Sequence, residues 1–168
     1  MSRHPIRHVA IALPLLAVLA GCDVPSVPGI DVPGPTLRGQ VKGETSSNLR
    51  VGLLGTKTAG APERELRSAA VGSDGSYTLQ LPNSPPLDLM VNANDSVVFT
   101  LTAYEDTNKS GSFDPADKVT DAVAQSGRFR FFVEDGPPGS YKSGWNLYNN
   151  TSGTYSQSFE TAFVLQGF

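Results

Sequence analysis

Asp106, Asp114 and Asp117 stand within twelve residues, with Asn108, Ser110 and Ser112 between them. Counted from Asp106, oxygen-bearing side chains fall at positions 1, 3, 5, 9 and 12, and Gly111 falls at position 6, where a calcium loop has to turn sharply. Ser112 follows that glycine and offers its backbone carbonyl, and Phe113 comes next as an apolar anchor. Calcium is a hard cation that takes six to eight oxygen ligands, and this spacing wraps such ligands around one point. The chemistry expected is therefore structural cation binding, with Asp106, Asn108, Ser110, Ser112, Asp114 and Asp117 as ligands. A polar turn draws on the same residue types for conformational reasons alone. The match at five ligand positions, with the glycine in register, favours calcium over a bare turn.

Other chemistries are narrower. The only histidines are His4 and His8, and the only cysteine is Cys22. Beyond residue 22 no Ser-His-Asp triad or Cys-His pair can be assembled, and a zinc site would have only carboxylates to draw on. No Gly-rich phosphate loop or dinucleotide fingerprint occurs. The chain is not expected to be an enzyme. The catalytic alternative is a carboxylate-pair hydrolase of envelope glycans; no pair of acids stands out apart from the calcium loop, and Glu134→Gln or Asp135→Asn would test it. Elsewhere Glu63, Glu65 and Asp135 read as solvated loop or strand-face charges. A second binding alternative lies at Tyr141, Trp145, Tyr148 and Tyr155, interleaved with Asn146, Asn149 and Asn150. Aromatic rings beside amides suit sugar rings, which makes this the expected surface of a carbohydrate-binding protein. Against it, Trp145 and Leu147 share strand parity and are expected to face a core.

The start of the chain supplies an address. Arg3 and Arg7 precede an apolar run from Val9 to Ala20, too short to span a bilayer as a helix. The run ends in Leu19-Ala20-Gly21-Cys22. This ending resembles the lipobox of bacterial lipoproteins. The resemblance implies a leader at residues 1–21, a diacylglycerol on the Cys22 sulfur, and cleavage that leaves Cys22 first. The expected location is the extracytoplasmic face of the cell membrane or outer membrane, held there by lipid. Pro25, Pro28, Pro33 and Pro35 make the next stretch, 22–35, an extended tether. At about 3.1 Å per residue it reaches up to about 40 Å. The formal net charge is −3, and losing Arg3 and Arg7 makes the remainder more acidic. With no basic cluster, nucleic acid is not an expected partner; an envelope protein or glycan is.

The elements that must position these residues are strands. Gly and Pro number 17 and 13, which favours turns over helices. Leu37, Gly39 and Val41 alternate with Arg38 and Gln40. Leu49, Val51 and Leu53 repeat the pattern, as do Tyr77, Leu79 and Leu81, then Val97, Phe99, Leu101 and Ala103, and then Phe129, Phe131 and Val133. Phe159, Thr161, Phe163 and Leu165 close the series. Period two with polar partners predicts strands with one face in a core and one in water. Ser73-Asp74-Gly75 between Leu66–Val71 and Tyr77–Leu81 predicts a hairpin. The expected fold of residues 36–168 is an all-β, antiparallel β-sandwich of about seven to nine strands, transthyretin-like or Ig-like.

Two further resemblances refine this. Gly39-Gln40-Val41 followed by Asp74-Gly75-Ser76-Tyr77-Thr78-Leu79 resembles the carboxypeptidase-regulatory-like, or transthyretin-like (prealbumin-like), domains of bacterial surface proteins. That likeness covers about a third of the chain beyond the leader and implies a non-catalytic binding or structural module. The 106–117 loop resembles the calcium loops of EF-hands and dockerins. It departs from the EF-hand in having Asp117 rather than Glu at its last position, and a strand rather than a helix before it.

Overall fold

Among the described residues, period-two alternation becomes ten strands in two packed sheets. In chain order they are β1 (Pro33–Lys42), β2 (Leu49–Gly55), β3 (Arg64–Ala70), β4 (Ser76–Pro82), β5 (Phe99–Glu105), β6 (Lys118–Ala122), β7 (Arg128–Phe132), β8 (Gly144–Asn149), β9 (Thr154–Ser156) and β10 (Phe163–Gln166). The computed structural model describes residues 33–43, 46–57, 63–122, 128–159 and 163–167, with the backbone alone at 120–122. The leader, Cys22 and the 23–32 stretch of the expected tether lie outside the described residues. Those described belong to one unit, Asp31–Phe168.

The small sheet has the order β10-β1-β4, and the large one β3-β2-β5-β7-β8-β9. β6 and β7 share one edge of β5: β6 pairs with Thr102 to Glu105, β7 with Phe99 and Thr100. Leu37, Val41, Tyr77, Leu79, Leu81 and Leu165 of the small sheet pack with Val51, Leu53, Phe99, Leu101, Phe129 and Trp145 of the large one. Each such side chain, fully buried, contributes about 1.5–3 kcal/mol. The all-β sandwich is thus the observed fold.

Several details differ from the sequence expectation. Strands β3 and β4 do not form a hairpin. β3 pairs with β2 in the large sheet and β4 with β1 in the small one, so Ser73-Asp74-Gly75 is an arch between sheets. The cause is local. Gly75 sits at φ 80°, and a Cβ there would stand 2.5 Å from the Val41 carbonyl oxygen. Val41 N–H instead donates to Gly75 O at 2.8 Å, which draws β4 onto β1. The sheets are also not wholly antiparallel, because β10 runs parallel to β1 from Gly39 to Lys42. It follows β9, at the far edge of the other sheet, so it arrives by crossover rather than by a tight turn.

β1 begins at Pro33, inside the stretch expected to be tether. Among the described residues β1 pairs here with β4 alone, and the first residue of a strand is a place where proline's missing donor is tolerated. Finally, β2 and β5 are covered on both faces. Leu54, Thr102 and Tyr104 point away from the main core yet are buried. What covers Tyr104 is the loop that follows it.

Candidate functional site

The 106–117 loop starts where β5 ends. Asp106 N–H donates to Asn48 O at 3.0 Å, so the loop leaves the sheet from a fixed point beside β2. The Asp106 side chain turns inward and the residue is only 4% exposed. Its Oδ1 accepts Ser110 N–H at 2.9 Å and its Oδ2 accepts Gly111 N–H at 2.8 Å. The chain turns around this carboxylate through two left-handed residues, Lys109 at φ 58° and Gly111 at φ 82°. That is the reason for a glycine at this position.

The other expected ligands close the loop on itself. Asn108 Oδ1 accepts Ser110 N–H at 2.8 Å, while its Nδ2 donates to the Asp114 carboxylate. Ser110 Oγ donates to Ser112 O at 2.7 Å. Asp117 takes Thr107 N–H on Oδ1 and Asp114 N–H on Oδ2, both at 3.0 Å. Asp114 Oδ1 accepts Ala116 N–H at 2.8 Å. All six expected ligands therefore lie in one hydrogen-bonded loop. The carboxylates face the loop's own N–H groups, and among the described residues no three His, Cys, Asp or Glu side chains converge as a metal cage. The donor set itself fits a hard divalent cation: three carboxylates, one amide oxygen, a hydroxyl and a main-chain carbonyl.

The loop is also docked. The Phe113 ring meets Tyr104 edge-on, with centroids 5.2 Å apart. Glu65 on β3 accepts Phe113 N–H at 2.9 Å on the same Oε2 that receives the Tyr104 hydroxyl. Burial, with Glu65 next in effect, pushes the Tyr104 hydroxyl above its ordinary 10.0. Ser68 Oγ donates to Gly111 O at 3.4 Å, and Arg50 Nη2 donates to Ser68 Oγ at 2.9 Å. Glu65 was expected to be a solvated charge and is instead a docking group. The one trace in the sequence is Gly52, a glycine inside a strand, which marks a close approach. A Cβ there would lie 3.1 Å from Tyr104 Cε1 and 3.3 Å from Glu65 Oε2.

The four candidate aromatics separate. Trp145 is buried, 3% exposed, packs on Phe99 and Phe131, and donates its indole N–H to Pro82 O at 2.8 Å. It belongs to the core rather than to a ligand surface. Tyr141 stacks on Phe132 at 3.7 Å between centroids, and Gly136 closes on its ring so tightly that a Cβ would stand 2.6 Å from Cζ. Tyr155 packs edge-on against Phe132 and tilted against Tyr148. Tyr141 and Tyr155 still border a cleft of about 260 Å³ together with Lys142, Asn146 and Gln157. The rings are mostly spent on one another rather than laid out as a platform. Asp135 accepts Ser143 N–H at 2.7 Å and an ion pair from Lys142, and Glu134 N–H donates to Asn94 Oδ1 at 3.0 Å.

No protein-family model, no curated protein and no solved structure matches this chain.

Proposed function

We propose that the chain is a lipid-anchored, non-catalytic binding or structural module of the bacterial cell envelope. In this reading Cys22 carries the lipid, on the extracytoplasmic face of the cell membrane or outer membrane. The sandwich is of the carboxypeptidase-regulatory-like, transthyretin-like kind, and calcium stabilises the 106–117 loop. The observation that carries the calcium part is Asp106. An ionised carboxylate almost wholly removed from water is costly unless its charge is met. Two N–H bonds meet part of that charge, and each oxygen retains a lone pair. Asp114 and Asp117 add two more negative charges to the same loop. Bound calcium would supply the positive charge that offsets the three. Asp106, Asn108, Ser110, Ser112, Asp114 and Asp117 would hold it. The loop's own residues do the rest: Gly111 and Lys109 set the turn, and the Phe113 ring anchors it to Tyr104.

Calorimetric titration of the full chain with calcium chloride tests this, with Asp106→Ala as control. One-site binding that the control loses supports the reading. No heat at millimolar calcium sinks it and leaves a polar turn.

A further inference from the structure

Glu65 lies outside the pattern that marks the 106–117 loop. It sits on β3, an edge strand, between Arg64 and Leu66. An acid there is ordinarily a solvated charge. Its carboxylate is instead a junction. One oxygen, Oε2, accepts the Phe113 N–H at 2.9 Å and the Tyr104 hydroxyl. These two donors are joined through their rings, 5.2 Å apart and at 78°. One partner is the buried tyrosine of β5, the other the apolar anchor of the loop. Gly52 on β2, which lies between β3 and β5, leaves room for them to meet. Further along β3, Ser68 reaches Gly111 O, so the same strand touches the loop twice.

We propose that Glu65 is the positioning residue of the cation loop, and that it acts through its acceptor oxygen rather than its charge. Its importance to a ligand rests on the calcium reading above; its hold on the loop does not. Pinning Phe113 N–H to β3 fixes the middle of the loop, between the Asp106 arm and the Asp114–Asp117 arm. The loop is thereby shaped by a strand 48 residues upstream and not only by its own turns. Glutamine at this position keeps an acceptor oxygen on the same stem, and alanine keeps none.

The test uses the full chain with Glu65→Ala and Glu65→Gln, and two readouts. The first is amide hydrogen exchange at Gly111 and Phe113 in chelator. The second is a calorimetric titration with calcium chloride. In Glu65→Ala, exchange at both amides is expected to rise, and calcium affinity to fall, by about tenfold, the worth of one hydrogen bond. Glu65→Gln is expected to stay close to wild type in both. Unchanged exchange in Glu65→Ala overturns the proposal. So does a Glu65→Gln variant that fails as badly as alanine, because charge would then be the agent. Altered exchange with no calcium binding even in wild type keeps the positioning role and removes the calcium reading. Should Glu65→Ala not fold, Glu65→Asp takes its place. Its carboxylate is one methylene short of Phe113 N–H, and wild-type exchange at Phe113 in that variant overturns the proposal equally.

Discussion

Asp106 shows how one side chain can hold a turn while standing among the proposed cation ligands. Its two oxygens cap Ser110 and Gly111 N–H, so removing it takes the acceptor from Gly111 N–H and leaves Ser110 N–H with Asn108 Oδ1 alone. Asp106→Ala is expected to cost about 1–3 kcal/mol, read as a lower urea midpoint with calcium absent. An unchanged midpoint would mean that water replaces both bonds without penalty. Trp145 makes the opposite case, an aromatic whose polar tip is used internally. It is the only tryptophan, so its fluorescence reports one place. Emission is expected to be blue-shifted and hard to quench with acrylamide in the folded chain. Trp145→Phe keeps the ring stacking but leaves Pro82 O without its donor, at about 1–3 kcal/mol.

At the scale of elements, the turns decide which strands meet. The arch at Ser73-Asp74-Gly75 sends β3 and β4 to different sheets, and Gly75 is the residue that allows it. Gly75→Ala adds both a left-handed alanine and a Cβ 2.5 Å from Val41 O. The expected loss is about 1–3 kcal/mol, with raised amide exchange at Val41. The same turns respond to acid. Asp74 is held below its ordinary 3.8 first by the Ser76 hydroxyl, and Asp135 first by Ser143 N–H. A carboxylate whose folded value is depressed contributes stability that is complete above its unfolded value and is lost as pH falls through the folded one. Stability should therefore fall as pH drops below about 3.8, and Asp74→Asn should lose less there, as urea midpoints would show. Both groups are fully exposed, so the share of each is small.

For the whole molecule, the 106–117 loop covers an otherwise open patch of the large sheet at Tyr104. A cation that binds only the folded loop raises the melting temperature by mass action. Melting in millimolar calcium should exceed melting in chelator, with strand content unchanged by circular dichroism. Coincident melts would count against a bound ion. The proposed lipid anchor is tested separately. If Cys22 carries it, Cys22→Ala should shift the protein from the membrane fraction to the soluble one and lower its mass by that of the lipid.

Much of the sandwich is legible in the chain because alternation is a local property. Leu37 and Val41, or Leu49, Val51 and Leu53, face one way for reasons of strand geometry alone. The proposed loop ligands are legible for the same reason: they lie close together in sequence and share one turn. What only the tertiary structure decided are contacts between distant segments. β4 joined β1 rather than β3, β10 ran parallel to β1, and the Trp145 indole N–H found Pro82 O. Glu65 found Phe113 across 48 residues. No period or spacing encodes such pairings. They are settled by which backbone and side-chain groups can satisfy one another once the sheets have packed.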